Sequence, residues 1–591
     1  MCHNWRVRAR HLEGLHAVVS ENRQVRGAER RKALLAFLSK ERTIDAWYLF
    51  VLVFFVFLVL IPTVFVLSFL YTGWGDLQTF VFAKADVLAQ IGSAVGLSFG
   101  VALVVTTIDL VFGLPLAWFI VRRDFRGKNL LNTLIDSPLA VPTAGLGFSV
   151  ALFWALSPAV NPPPLSLNIA NTPFVLLTFL HFTTTFPYMV RSLSAILEQL
   201  DIEYEIAART CGAVPVTAAR TVTLPLFRAG IATGAILCLA KALSDTGGAQ
   251  AVLQTARLFA IQSQNCNFTG TPSGTVLIAA WRTIGRACAA EAGQLNAGLA
   301  LTAIIMIVLS ISLLYVVNLV ATRFRFPLRR VWPGVERRLS YGAPPVGRDA
   351  FAFAFLALIV LIPSFFLTGY LITGSTSLGT ADWGTFAGSV GFSFLIAGLA
   401  TIIDLTFGVP LALYITRGPH RRLGAFLDSL VNVPYIVPSA ALGFSLFLFW
   451  KPLVDAGALP VLAVIVLAHV GFTIPFVVRN AVGALEQMDP SLDETGRTLG
   501  AKPLQTFRRI TFPVIKPAIL AGSIMAFTRS LGETGATIAV SPQAITAPVF
   551  IVNLLNIKTG NFYLAALTIA VLTIASAIAM LGMRYFTRGV K

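Results

Sequence analysis

Two basic–acidic couples, Lys241 with Asp245 and Arg529 with Glu533, stand 288 residues apart inside otherwise apolar stretches. In each, the acid follows the base by four residues, which puts both on one helix face. An ionisable side chain costs about 2.5–3.5 kcal/mol at the centre of a membrane helix, so each is a functional candidate by default. Two kinds of chemistry suit the couples. The partners can neutralise each other and steady the segments that follow, "LSDTGGAQAV" and "LGETGATIAV", where Gly247 and Gly535 permit close backbone approach. Alternatively, Lys241 and Arg529 face a pathway and attract an anion. Pairing is the expectation, because an unpaired buried charge is far more expensive; both hold if the pair opens during work.

Asp109 and Asp404 occupy matching places in "TIDLVFGLPLA" and "IIDLTFGVPLA". Intramembrane acids of this kind would serve an ion-coupled secondary transporter, which is the alternative reading. His181 and His469 also correspond, and a lone histidine on an apolar helix is ordinarily held by a backbone carbonyl. Asp136, matched by Asn432, reads as a helix cap. With no Cys/His cluster and no H-E-x-x-H in the apolar runs, neither an enzyme nor a metal or other cofactor is expected. Five cysteines are too scattered for a disulfide framework. Only Cys266 and Cys288 share one polar connection, where a bridge is an open question.

The elements that must carry these residues are membrane helices. Of 591 residues 56% are hydrophobic and 12% charged, too little charge to cover a soluble surface of this size. Runs such as "WYLFVLVFFVFLVLIPTVFVLSFLY" exceed the roughly 20 residues that cross the hydrocarbon core. Strands of an outer-membrane barrel would alternate instead. Twelve spans are expected, centred near residues 59, 105, 148, 181, 239, 309, 361, 402, 441, 469, 528 and 576. Residues 1–45 carry ten Lys or Arg against five acids and read as a polar tail without the apolar stretch of a signal peptide. The net charge of +18 gathers in connections on one side, including "RRDFRGK" and "RFRFPLRRVWPGVERR", which makes that side and both termini cytoplasmic; no nucleic-acid partner is expected.

The halves are copies. "VGLSFG" matches "VGFSFL", "VPTAGLGFSVALFW" matches "VPSAALGFSLFLFW", and "FPYMVR" matches "IPFVVR", in the same order and sidedness. Such a parallel repeat relates two six-helix bundles about an axis along the membrane normal, and their interface is the natural place for a pathway. The expected organisation is a tail (1–45), a first domain (46–325), a cytoplasmic linker (326–345) and a second domain (346–591). "SGTVLIAAWRTIG" and "APVFIVNLLNIKTG" are candidates to lie across the outer mouth.

A charged phrase also recurs, "DIEYEIAARTCGAVPVTAARTVTLPL" from Asp201 and "DPSLDETGRTLGAKPLQTFRRITFPV" from Asp489. Asp201 and Asp489 suit an N-cap, and the acids after them the first turn of a short helix. Gly212 and Gly500 suit its terminator. Pro225 and Pro513, each thirteen residues further on, suit the opening of the next span. The phrase resembles the E-A-A-x-x-x-G coupling loop of the permease subunits of ATP-binding-cassette importers. This resemblance implies two fused type I permease domains, an all-α polytopic inner (plasma) membrane protein, with Glu205, Ala207, Ala208, Gly212 and Pro225, and Asp493, Glu494, Gly500 and Pro513, forming sockets for two separate ATP-binding subunits. In this reading the small residues and the acids face those partners. Ile206 and the Thr495–Gly496 pair depart from the pattern, which implies unequal docking. No G-x-x-x-x-G-K-[ST] loop occurs, so hydrolysis belongs to the partners. The family further implies a periplasmic or lipid-anchored binding protein that delivers the solute, and lipid around the spans. Local stretches resemble sulfate and molybdate permeases, while fusion of the halves is similar to ferric-iron, thiamine or phosphonate permeases; an inorganic oxyanion or ferric iron is the expected cargo.

Overall fold

The computed structural model describes residues 41–155, 170–288, 292–323, 332–373, 382–555 and 561–588. Most of the first 45 residues and part of the linker therefore lie outside the described residues. Among them, nine helices are long and apolar enough to cross a membrane, and three further pairs qualify together across a bend, giving up to twelve.

The first half runs α1 (Asp45–Thr72), α2 (Ala85–Arg122), α3 (Lys128–Ala140), α4 (Thr143–Trp154), α5 (Pro173–Gln199), α6 (Ile202–Thr210), α7 (Leu224–Ser244), α8 (Gly247–Thr255), a hairpin of β1 (Phe259–Gln262) and β2 (Asn267–Gly270), α9 (Gly274–Ala287) and α10 (Ala292–Arg323). After α11 (Pro333–Ser340) the order repeats: α12 (Ala343–Ile372), α13 (Trp383–Arg417), α14 (Arg421–Leu430), α15 (Ser439–Asp455), α16 (Val461–Gln487), α17 (Ser491–Thr498), α18 (Phe512–Leu531), α19 (Gly535–Val540), α20 (Ala547–Leu554) and α21 (Phe562–Arg588).

The sequence left one feature of the assembly unread. Each half's first span is exchanged. Helix α1 packs on α13, α15 and α16 of the second half, and α12 packs on α2, α4 and α5 of the first. Repeated hydroxyls secure the exchange. Ser149 donates to the Pro363 carbonyl (2.6 Å) and accepts from the Leu367 amide (3.0 Å), while its counterpart Ser445 accepts from the Val66 amide (2.8 Å). These partners lie just after Pro62 and at or after Pro363, in "LIPTVFVL" and "LIPSFFL". Proline interrupts the helical ladder there, and a freed backbone group in an apolar layer needs a side-chain partner.

The third and ninth spans are not straight. Helix α3 meets α4 at 103°, and the segment Arg421–Ile436 meets α15 at 104°, with the turns at Val141–Pro142 and Val437–Pro438. At 12 residues, α4 is only about 18 Å long, too short for the whole core. Conversely α2, with 38 residues, reaches about 57 Å and α13, with 35, about 52 Å, so both project well beyond the core. Pro225 and Pro513 stand at the second residues of α7 and α18, but helical structure already precedes them, as π-helical turns that follow short helices begun at Pro215 and Pro503. The described part of the linker is folded too. Glu336 of α11 is buried, accepting from Arg220 Nε (3.0 Å) and from the Thr217 hydroxyl, and Ser340 accepts from the Val216 amide (3.1 Å).

Candidate functional site

On the interface between the halves, α7 and α18 end in elbows that meet. A Cβ added to Gly247 would lie 2.2 Å from Thr534 Oγ1, and one on Gly535 would lie 2.3 Å from Thr246 Oγ1. Each elbow thus receives the threonine of the other, and only glycine leaves room. The α4 and α15 helices approach as closely: a Cβ on Gly147 would lie 2.2 Å from the Gly248 carbonyl, and one on Gly443 2.5 Å from that of Ala536. Ser439 donates to the Ser244 carbonyl of the opposite half (3.0 Å).

Before these elbows, toward α6 and α17 along α7 and α18, lies a cavity of about 120 Å³ whose lining includes Pro142, Thr143, Tyr188, Lys241, Phe476 and Arg529. Both bases reach it, but the couples differ. Arg529 is ion-paired with Glu533 and stacks over the Phe472 ring, 4.9 Å from its centre. Among the described residues no carboxylate lies within 4.0 Å of Lys241, so the pairing expected there does not form. The reason lies in the backbone. Helix α7 stops at Ser244, Asp245 is extended (φ −76°, ψ 115°), and its Oδ2 sits against Gly248, 2.4 Å from where a Cβ would be. In the second half Gly532 and Glu533 still bond back to Thr528 and Ser530, so Glu533 stays one turn above Arg529, with Oε1 also accepting from the Ala536 amide (3.2 Å).

Asp109 and Asp404 are fully buried but do not line this cavity. Thr185 of α5 donates to Asp109 of α2 (2.5 Å), and Thr473, its counterpart, faces Asp404. Asp109 therefore ties the second span to the fourth within its half, while Asp404 is buried at the matching contact. His469 is held not by a carbonyl but by two hydroxyls, Ser530 on Nδ1 (2.7 Å) and Thr537 on Nε2 (3.0 Å). Alanines 242 and 249 replace those hydroxyls near His181. Asp136 is no cap: Arg191 of α5 donates to both its oxygens (2.6 and 2.8 Å), and Arg479 repeats this contact on Asp428 and Asn432.

At the outer connection, α9 packs on α15 and α19 of the other half, and α20 packs on α4 and α8. Ser98 and Ser393, the serines of the "VGLSFG" and "VGFSFL" repeats, accept from the first amides of α9 and α20 (2.8 and 2.7 Å). Arg282, which sequence reasoning passed over, donates to the carbonyls of Ala539 and Val540 (2.9 and 3.1 Å) and satisfies the end of α19. Cys266 and Cys288 are bridged, pinning the hairpin to the end of α9.

The recurring phrase forms two short helices. Asp201 accepts from the Glu203 amide and Asp489 from the Ser491 amide, though the residue flanking α17 is Pro490. Gly212 and Gly500 terminate the helices at φ +87° and +83°, the left-handed region that glycine enters without strain. Glu205 and Asp493 do not face outward. Glu205 lies 3.9 Å from Arg122, at the end of α2, and Asp493 pairs with Arg417, at the end of α13, while accepting from Thr511 (2.8 Å). Arg122 and Arg417 are repeat equivalents whose role was hidden in what reads as loop charge. Burial pushes the Glu205 carboxyl above the usual glutamate value, against the pull of Arg122. Gly496 is likewise turned inward, with Ile510 Cδ1 2.7 Å from where its Cβ would be. Ala208 is half-buried, and the outward surface holds Ala207, Glu494 and the large apolar side chains Ile202, Tyr204, Ile206, Leu492 and Leu499.

The comparisons with known proteins agree with this architecture. The family described as "Binding-protein-dependent transport system inner membrane component" matches twice, over residues 109–326 and 408–591. The chain is 30% identical over 270 residues to the sulfate transport system permease protein of Salmonella typhimurium, covering 43% of this chain and 92% of that one. It is 31% identical over 165 residues to the molybdate/tungstate transport system permease protein of Pyrococcus abyssi (28% of this chain, 64% of that one). To the Fe(3+)-transport system permease protein FbpB 2 of Haemophilus influenzae it is 22% identical over 434 residues, 73% of this chain and 77% of that one. Two matched domains, a fold helical but for one short hairpin, and bundles of apolar helices long enough to cross a bilayer converge on one assignment: the chain belongs to the inner-membrane permease family of binding-protein-dependent transport systems, as a multi-pass protein carrying the family's domain twice.

Proposed function

We propose that this chain is the complete translocation pathway of an ATP-binding-cassette importer for a small inorganic oxyanion, with one ATPase docking on α6 and another on α17 and a binding protein delivering cargo at the opposite face. The tail, the linker and both termini then lie on the ATPase side, and the domain division falls at the linker. The observation that carries the reading is the interhalf cavity. It presents two cations, Lys241 and Arg529, of which one is neutralised by Glu533. An anion entering from the elbow side meets one unpaired ammonium among the Thr143 and Tyr188 hydroxyls, a net attraction strengthened by low-dielectric walls. The coupling helices support the energy source. Each is fastened to its own permease half by an acid–arginine pair, so motion of a docked subunit would pass directly into α2 or α13.

The organisation of the ferric-iron relative keeps a second cargo in view, because that match spans both halves. The test is reconstitution with the ATPase and binding-protein subunits in liposomes, with uptake of labelled sulfate, molybdate and ferric citrate measured side by side. ATP-dependent oxyanion uptake that falls at least tenfold in Lys241→Gln, with ferric uptake absent, is the expected result. Robust ferric uptake indifferent to that substitution would overturn the cargo, and uptake without any ATPase subunit would overturn the importer.

A further inference from the structure

Helix α14 leaves the membrane bundle at a steep angle and keeps two very different faces. Toward the protein, Gly424 and Leu427 are buried, with the Ile415 carbonyl 2.7 Å from where a Gly424 Cβ would lie, and Asp428 is gripped by Arg479. Away from it, Leu423 and Phe426 are 37% and 59% exposed, three residues apart on one side of the helix. At its start stand His420, Arg421 and Arg422, all exposed; among the described residues no carboxylate lies within 4.0 Å of either arginine. Cations at a helix N-terminus oppose the helix dipole, so their place there is not explained by helix stability. An anion beside them satisfies both the guanidinium groups and the dipole.

The repeat supplies a weaker copy. Helix α3 bends from α4 by 103°, exposes Leu130 (64%) and carries Arg126 at its start, while Lys128 is already paired with Asp124. The segment carrying α14 lies at 104° to α15; with α15 along the membrane normal, its axis runs close to the bilayer plane, where apolar side chains reach the acyl boundary and basic ones the headgroups.

We propose that α14, and more weakly α3, are interfacial helices that bind the headgroups of anionic phospholipids in the leaflet on the coupling-helix side. The occupant is lipid rather than a protein because the exposed apolar side chains continue the surface of a chain already embedded in the bilayer, and the charge at their edge is positive. The consequence reaches the pathway. Arg479 bolts α14 to α16, and α16 ends at Gln487, four residues before coupling helix α17 begins; on the other side Pro138 to Ala140 of α3 form part of the cavity wall. Headgroup binding thus holds the frame against which the coupling helices move. This inference needs the membrane placement of the family and is independent of the cargo.

The test uses the intact permease with its ATPase subunits, exchanged into equimolar phosphatidylglycerol and phosphatidylcholine and examined by native mass spectrometry. The expected result is retained phosphatidylglycerol that weakens roughly fivefold for each cation removed in Arg421→Gln and Arg422→Gln. Arg126→Gln should have a smaller effect, and Lys451→Gln, a charge change elsewhere, none. Unchanged retention in the double variant overturns the proposal, as does displacement of the lipid by excess inorganic phosphate, which would mark a free-phosphate site. Loss of the ATPase subunits with lipid retention intact assigns the face to the motor and overturns it equally. A spin label at Phe426→Cys, in a Cys2→Ser/Cys211→Ser background, gives a readout that survives weak lipid binding: relaxation by oxygen above that by a water-soluble nickel chelate supports burial in the acyl boundary, and the reverse refutes it.

Discussion

The two basic–acidic couples have the same spacing but different geometry, and a double-mutant cycle in each half separates them. In the second half, Glu533→Gln keeps the volume of the side chain but strips Arg529 of the one ion-pair partner it has among the described residues. Breaking a buried pair by removing one partner costs about 3–5 kcal/mol, because the remaining charge is stranded. Arg529 borders the cavity and its side chain keeps 15% exposure, so water recovers part of that loss and the lower end, about 3 kcal/mol, is the working value. The double variant Arg529→Met/Glu533→Gln has no stranded charge and should recover most of it, giving a coupling energy above about 2 kcal/mol. In the first half no ion pair joins Lys241 to Asp245, and the corresponding cycle with Lys241→Met and Asp245→Asn should give less than about 1 kcal/mol, the scale of polar contacts in membrane helices. Unfolding of the purified chain in mixed micelles of mild detergent and dodecyl sulfate, followed by circular dichroism, provides the four free energies of each cycle. Equal coupling in the two halves, or none at Arg529–Glu533, would refute the claim that the elbow backbone decides which couple pairs.

Other substitutions test the elbow and the coupling loops. Gly147→Ala places a Cβ 2.2 Å from the Gly248 carbonyl, a backbone atom that cannot swing away; overpacking of about 1–3 kcal/mol should loosen the elbow seal and raise passive anion leak from loaded liposomes by fivefold or more, whereas unchanged leak would remove the seal from this level. Gly500→Asp meets no neighbour but must adopt φ +83° on the docking surface, so ATP hydrolysis should uncouple from uptake while membrane insertion stays normal; coupled uptake at the wild-type rate would count against the socket. Arg417→Ala should free the base of α17 and lower uptake more than tenfold at unchanged expression, with Arg417→Lys restoring part of it. Glu205 adds a pH signature. Its carboxyl is raised in the folded state by burial, so its contribution is full below the usual glutamate value and declines as pH climbs through the raised one. Hydrogen exchange at 202–210, corrected for intrinsic rates, should therefore show protection falling over that window in the wild type and a flat profile in Glu205→Gln.

Much of the design is legible from sequence for a local reason. A membrane span announces itself by composition, a duplication by spacing, and a helix terminator such as Gly212 or Gly500 by the one backbone region that glycine enters freely. The twelve apolar segments, the repeat and the two short exposed helices needed no knowledge of neighbours. Pro142 and Pro438 fit a helix start and not a helix interior, so the bends before α4 and α15 have a local cause, whereas their angle has none in the sequence.

What the tertiary structure alone decided depends on helix rotation and on the opposite half. The four-residue spacing of Lys241 and Asp245 promised a pair, but it holds only while the backbone keeps its helical turn: Gly532 and Glu533 still bond back beyond the end of α18, whereas Asp245 is already extended. Glu205 and Asp493 belong to a motif, yet their direction is set by Arg122 and Arg417, which arrive only because α2 and α13 extend past the bilayer core. Ser149 and Ser445 look like ordinary core serines until the exchanged first spans bring the broken backbone of the other half against them. Local chemistry fixes what each segment is, and packing between copies fixes which groups it meets, since a side chain's partners across an interface follow from geometry that no stretch of one helix encodes.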